Sequence, residues 1–374
     1  MKGRNNMSIE KGKISSQQLF FLIAGFVEAS ALLIDFTVGI TEQQTWMVIL
    51  AGLIITTPFV LSYVALAKSF PGMNLVQIND MVYGRFLGKV ISLYYIFFFS
   101  MTLSFNIRDV GELYITFLMQ DTPFIFFLIV FTATCAYAVT KGIEVLARIS
   151  HLILVTGFFA ITSTFILLID QMDFSNFLPF FELPLIRIFQ GIHIVSSIPF
   201  GETVVFLMIM GCMNKTEHAV KNTFFGLLIG ALSLLFVAVR NTAVLGRTQT
   251  IWTSTSFQSI RLINIGTVLT RMDFVIGIAQ TILIFFKCSI FLYVLVVAVS
   301  QLFGLKSYVP LVLPLAAIEV IIAATVFQSP VDHATITQNA GIIYSVPLVF
   351  VFPPLALLIA KIRGLPKVER GKGT

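Results

Sequence analysis

Several ionisable side chains stand inside long apolar runs of this chain: Glu28, Arg108, Asp109, Glu112, Glu202, Lys287 and Glu319. A charge in hydrocarbon surroundings costs about 2.5–3.5 kcal/mol on insertion scales, so each one needs a partner or a task. Arg108 and Glu112 are four residues apart, share a helix face and can pair, with Asp109 beside them. That spacing serves a structural ion pair and a functional one equally. Glu28 and Lys287 have no partner nearby in sequence, and both lie near the middle of their runs. A bridge between them would neutralise both, either to fix helix packing or as part of a site. Glu319 is explained by a helix–helix hydrogen bond or by a contact with a partner protein.

Two of the apolar runs are interrupted at similar depth. One carries Glu28-Ala29-Ser30-Ala31, the other Ser196-Ser197-Ile198-Pro199-Phe200-Gly201-Glu202. Pro199 lacks a backbone donor and disturbs the turn before it, while Gly201 admits dihedrals that other residues resist. Irregular backbone at membrane depth is tolerated only where it is buried in protein or lines a cavity. Half-helix ends there offer free N–H and C=O groups, which suit a small zwitterion or an ion. A plain proline kink would account for Pro199 alone. The neighbouring Gly201 and Glu202, and the matching run in the first segment, favour a site. The expected ligand-binding set is therefore Glu28, Ala29, Ser30, Ser197, Pro199, Phe200, Gly201 and Glu202. An intramembrane charge network of Arg108, Asp109, Glu112 and Lys287 is expected beside it.

The elements that must carry these residues follow from composition. Of 374 residues, 57% are hydrophobic and 11% charged, and 38 are Phe. A soluble domain carries about 25% charged residues, so the solvent for most of these side chains is lipid or other helices. Apolar segments predict an all-α polytopic membrane protein with about ten spans, near 16–40, 45–67, 86–119, 123–139, 143–169, 186–212, 218–245, 272–304, 308–328 and 337–361. The chain reads as one membrane domain: a tail at 1–15, a first five-span repeat over about 16–170, an inverted second repeat over about 186–362, and a tail at 363–374. Spans 1 and 6 are the broken ones, which places the site between the repeats. Most Lys and Arg fall in the two tails and in alternate connections, such as Lys68, Arg85, Lys141, Lys215 and Lys221. The opposite side holds only Arg187, Arg240, Arg247, Arg261 and Arg271, mostly in a long polar loop over 246–271 with Trp252 as an interfacial anchor. The bias predicts cytoplasmic tails at both ends.

The same reading excludes other classes. The net charge of +6 is spread among connections with no basic cluster, which argues against nucleic acid. Cys135, Cys212 and Cys288 are odd in number and lie in or at the end of apolar segments, so no disulfide framework is expected. No His/Cys spacing resembles a metal site, no cofactor motif is present, and His151, His193, His218 and His333 lie on separate segments without acid–base pairing, so an enzyme is not expected.

Several stretches carry a resemblance that spans nearly the whole chain. They are ISSQQLFFLIAGF, RDVGELYITFLMQDTP, KGIEVLARISHLILV, SSIPFGETVVFLMI with NKTEHAVKN, LTRMDFVIGIAQTILIFFK and VFPPLALLIAKIRG. On these the chain resembles the B subunits of bacterial spore germinant receptors, which are similar in fold to amino acid–polyamine–cation transporters. The resemblance implies a ligand-binding subunit of the spore inner membrane that senses a small, amino-acid-like germinant together with A and C subunits. It also implies that the breaks in spans 1 and 6 line the germinant pocket, with spans 3 and 8 as its remaining walls. One departure bears on the ligand. Members of that family commonly have a glycine-rich run where this chain has Glu28-Ala29-Ser30. A carboxylate at Glu28 would repel an amino acid carboxylate unless a proton or Lys287 neutralised it. Two other functions stay open: a proton-coupled amino acid permease, with Glu28 or Glu202 carrying the proton, and a scaffold that holds partner subunits and binds nothing.

Overall fold

The computed structural model describes residues 12–31, 34–252, 254–263, 272–339 and 343–366, which are helical throughout apart from turns and one isolated bridge, Ile14 with Met213. The first span is two helices. α1 (Ser16–Glu28) starts at a capping box between Ser15 and Gln18 and ends at the turn of Ala29 and Ser30. α2 (Ile34–Thr41) follows, and the three-residue turn Glu42–Gln44 leads directly into α3 (Thr45–Ser69). α4 (Leu75–Tyr83) is a short helix capped by Asn74, joined to α5 (Arg85–Leu113) through Gly84 at φ 86°. α5 continues in a wide turn, Tyr114–Leu118, covering the predicted third span.

α6 (Phe124–Thr140) and α7 (Ile143–Leu167) form a hairpin whose tight link depends on Gly142 at φ 84°, a conformation that disfavours other residues. α8 (Leu185–Val195) ends in the wide turn Ser196–Phe200, where Ile198 leaves helical geometry at φ −133°, ψ 117°. A 3₁₀ segment, Gly201–Met208, completes the sixth span. α9 (Ala219–Leu245), α10 (Thr255–Arg261), α11 (Met272–Leu302), α12 (Val309–Thr325), α13 (Pro330–Asn339) and α14 (Phe352–Arg363) complete the order. α1 packs on α7 and α9, α5 on α11, and α12 on α5 and α6.

Among the described residues seven helices are long and apolar enough to cross a membrane, or eight if the pair α12 and α13, bent by 94°, counts as one. α6 falls short of that length at 17 residues, and the first span is split. Large apolar side chains such as Ile54, Phe86, Phe159 and Ile321 are exposed on the outside, which suits contact with lipid.

Three expectations need correction. Residues 337–339 do not open the last span; they end α13, and the last span runs from Ile343 to Arg363. The loop over 246–271 is not simply polar and outside. α10 buries Phe257 and Ile260, and Phe257 stacks on Phe117 with ring centroids 4.8 Å apart. Residues 264–271 lie outside the described residues. Arg240 is not a loop residue: it is buried on α9, donating to Thr164 Oγ1 at 2.7 Å and to Asn241 Oδ1.

The last span has its own break. Pro347, Pro353 and Pro354 interrupt its backbone ladder, and Pro347–Val351 forms a wide turn. Four tyrosine hydroxyls satisfy the carbonyls left there. Tyr63 donates to Val349, Tyr95 to Leu348, Tyr94 to Tyr344 and Tyr83 to Phe352, at 2.6–2.7 Å. Replacing a hydroxyl that satisfies a buried carbonyl costs about 1–3 kcal/mol. Tyr95→Phe and Tyr63→Phe are each expected to lower the thermal unfolding midpoint of the purified protein in detergent, with a larger loss when combined. Unchanged midpoints would show that these carbonyls find other partners.

Candidate functional site

The two backbone breaks meet at one side chain. Lys287, on α11, is 0% exposed; its Nζ donates to Ser30 Oγ at 2.8 Å and lies 2.6 Å from Glu202 Oε2. Ser30 belongs to the break after α1 and Glu202 to the segment after the break at Ile198, so one ammonium ties both. The Nζ also lies over the Phe26 ring, 5.4 Å from its centroid, and that ring packs against Phe206 and Phe291. An aromatic face and an apolar wall make a dry setting in which the pair is strongly coupled. Among the described residues Glu202 Oε1 finds no hydrogen-bond partner, nor do the buried hydroxyls of Ser196 and Ser197.

Lys287 does not pair with Glu28. Glu28 turns the other way, toward α7 and α9. It accepts from Ser233 Oγ at 3.1 Å, and its carboxylate fills the space above Gly157, where an added Cβ would stand 2.6 Å from it. Its Oε2 is buried with no partner among the described residues. Sequence depth placed Glu28 and Lys287 at the same level, but depth says nothing about which face of the helix each occupies. Ala29, Ser30, Ser197, Pro199, Phe200 and Gly201 are all buried around the junction. Gly201 is there for close approach: a Cβ would come within 2.8 Å of the Ser196 carbonyl and of the Val349 side chain in the last span.

The expected four-residue charge network divides. Arg108 Nε does pair with Glu112 Oε1, at 2.5 Å, and Arg108 Nη1 donates to the Ala323 carbonyl at 3.0 Å. Lys287 belongs to the junction instead. The third member, Asp109, faces His333 on α13: His333 Nδ1 lies 3.6 Å from Asp109 Oδ1 and 3.4 Å from Glu112 Oε2. Their ligand-type atoms are all within 4.8 Å of one another. Sequence reading missed His333 because it is 221 residues from Glu112 and carries no local signal.

It also passed over Asp35, which accepts from Ser254 Oγ at 2.7 Å and from Thr255 Oγ1. Asn241 holds Thr255 and Ser256 from α9. An acidic residue in the predicted first span was the available clue. Glu319 accepts from Ser100 and Ser104 at 2.6 and 2.5 Å, the helix–helix contact that was one of its two explanations.

Two interrupted helices from opposite halves of an all-helical membrane bundle, crossing at a buried polar junction, define a transporter-type architecture. Solved structures share it. MhsT in complex with L-phenylalanine superposes with a TM-score of 0.67 at 14% identity, covering 93% of this chain and 88% of that one. Mhp1, a nucleobase-cation-symport-1 family transporter in a closed conformation with bromovinylhydantoin bound, gives 0.66 at 13% identity, covering 90% and 77%. Residues 13–331 match the family described as spore germination protein, and this chain belongs to it. It is similar to spore germination protein KB of Bacillus subtilis (strain 168), 29% identical over 371 residues, 98% of this chain and 99% of that one. Spore germination protein B2 of the same organism is 26% identical over 177 residues, 47% of this chain and 46% of that one.

Removing one partner of a buried ion pair leaves an uncompensated charge and costs about 3–5 kcal/mol, whereas an apolar replacement of the whole pair is close to neutral. Lys287→Met alone is therefore expected to unfold at much lower temperature than the parent, and Lys287→Met with Glu202→Gln to recover most of the loss. A double variant no more stable than the single would mean that the pair is not the coupling it looks like.

Proposed function

We propose that this chain is the germinant-sensing B subunit of a spore germination receptor, binding a small amino-acid-like zwitterion at the junction of the two breaks. The observation that carries this reading is the Lys287–Glu202 pair. Opposite charges stand side by side between two unwound segments. A zwitterion can separate them, with its carboxylate on Lys287 and Ser30 and its ammonium on Glu202. The exchange replaces one internal ion pair with two external ones and so keeps the buried charge neutralised. The departure at Glu28 then matters less for the ligand, because that carboxylate faces Ser233 and Gly157. The proposed pocket is lined by Ala29, Ser30, Ser197, Pro199, Phe200, Gly201 and Glu202 with Lys287.

The junction residues are fully enclosed, so a ligand enters only when the halves part, and it shifts the equilibrium only by binding one arrangement better. We place the chain in the spore inner membrane with both ends on the core side, working with A and C subunits. The core-side segment that follows span 6 is well positioned to pass the motion on. Asn214 N donates to the Ile14 carbonyl, Ser16 Oγ to the Lys215 carbonyl, and Asn222 to the Ser16 carbonyl, so the start of α1 and the start of α9 move together.

A second reading, a proton-coupled amino acid permease, has one observation in its favour. The buried Glu28 carboxylate has an oxygen with no hydrogen-bond partner among the described residues, as a proton carrier would. Against it stands Lys287. Transporters of this architecture bind a coupling cation among unwound carbonyls and half-helix ends, and here a tethered ammonium already lies between the breaks.

Spores carrying the double variant Lys287→Met with Glu202→Gln, or Ser30→Ala alone, decide between the readings. Gly201 is a poor probe, because any side chain there strikes Val349. At parental protein abundance the double variant should lose its response across an amino acid panel, and Ser30→Ala should require roughly tenfold more germinant, the worth of about one hydrogen bond to a charged group. A normal response from both would leave a scaffold. Uptake of labelled amino acid into proteoliposomes, driven by a pH gradient and abolished by Glu28→Gln, would instead establish the permease.

A further inference from the structure

We propose that Asp109, Glu112 and His333 form a divalent transition-metal site that fastens α13 to the end of α5. The argument begins with distance. Glu112 Oε2 and Asp109 Oδ1 lie 3.4 and 3.6 Å from His333 Nδ1, too long for good charge-assisted hydrogen bonds. Bonds of about 2.0–2.2 Å to a tetrahedral ion place neighbouring ligand atoms about 3.3–3.6 Å apart, which is the spacing from His333 to each carboxylate, and the two carboxylates lie within 4.8 Å of each other. Two carboxylates and one imidazole suit Zn²⁺, Fe²⁺ or Mn²⁺ better than Ca²⁺ or Mg²⁺, whose sites are built from oxygen.

A second observation is Asp109 itself. Its side chain is 10% exposed, and among the described residues it accepts no hydrogen bond within normal range, with His333 Nδ1 standing 3.6 Å away. It lines a cavity of about 60 Å³, together with Glu112, Asp35, Thr116 and Ser254. His333 is not part of that lining, so the space opens on the carboxylate side of the cluster and has room there for a water, which needs roughly 10–15 Å³ of such volume.

The surrounding groups orient the ligands as metal sites require. Arg108 holds Glu112 by Oε1 and so leaves Oε2 to point at His333. The His333 ring is clamped by Phe327, stacked at 4.4 Å, and by Phe36 at 5.1 Å. Without an ion the cluster sets two carboxylates against one Arg, and a cation offsets the excess.

The site has a mechanical consequence. α13 reaches from His333, which faces Asp109 and Glu112 of α5, to Gln338, whose carbonyl accepts from Gln190 of α8 and whose side chain covers Gly39 of α2. A bound ion would pin this helix across the outer halves of both broken spans. Metal would thus favour the closed arrangement on that side.

The full chain, purified in detergent without a histidine tag and stripped with EDTA, should bind one equivalent of Co²⁺ with visible d–d bands, lost on adding Zn²⁺, and should melt at higher temperature with Zn²⁺. His333→Gln and Asp109→Asn should each weaken binding by on the order of 100-fold or more, since even losing a group that only orients a ligand costs about 10–100-fold. His151→Gln, on an exposed residue of α7, should change nothing. Absence of Co²⁺ bands in the parent overturns the site whatever the variants do. So does undiminished binding in His333→Gln or Asp109→Asn proteins that melt like the parent without metal.

Discussion

Everything at the centre of this molecule depends on keeping one buried ammonium satisfied. Lys287 is shut off from bulk solvent, and the chain answers with two contacts drawn from the two halves of the sequence, Ser30 and Glu202. Those contacts exist only because the first and sixth spans both leave helical geometry at the depth where α11 passes. A continuous helix at either place would carry its N–H and C=O groups in its own ladder and would turn the side chains elsewhere. The breaks and the charge are thus one feature. The interruption supplies room and polar backbone, and the ion pair holds the interruption in register.

The two ends of the bundle are tied by different means, and that difference bears on how the halves can move. At the end holding the N-terminal segment the links include a main-chain bridge, Ile14 with residues 212–214, reinforced by the Asn222 side chain on the Ser16 carbonyl. At the other end the links are side-chain ones. Asp35 on α2 is held by Ser254 and Thr255, and α13 lies over α2 and α8 through Gln338 and over α5 through His333. Side-chain contacts of this kind can be exchanged for water one at a time as a cleft opens, whereas the backbone bridge moves as a unit with α1. The arrangement favours opening at the side-chain end, with the main-chain end transmitting the displacement.

The legible part of the sequence was what depends on depth and local spacing. Apolar length marked the spans, Pro199 and Gly201 marked the sixth-span break, and the four-residue interval of Arg108 and Glu112 marked their pair. What depends on azimuth was not legible. Glu28 and Lys287 share a level, but Glu28 faces Gly157 and Ser233, and nothing local in the sequence says so. The same limit hid His333, which meets Asp109 and Glu112 only because α13 folds back at 94° from α12. The four tyrosines that satisfy the last span's carbonyls were hidden for the related reason that a tyrosine in an apolar run reads as filler until its hydroxyl finds an acceptor.

The fold alone does not separate a sensor from a carrier, since sites, not folds, determine function. The separation lies in which charges are free to leave. A carrier must release its coupling ion on the far side in each cycle, and an ammonium fixed to α11 cannot leave. A sensor needs only two arrangements with different ligand affinity, and it gains from a charge that remains in place to be paired differently in each. Glu28, enclosed and partly unpaired on the other face of α1, is a carboxylate at this depth that is not tied to Lys287 and could still exchange a proton. On the proposed reading the side of α1 facing Lys287 carries the sensing chemistry and the side facing Ser233 any residual transport chemistry, and the two are separable by mutation because no hydrogen bond among the described residues joins Glu28 to Lys287, Ser30 or Glu202.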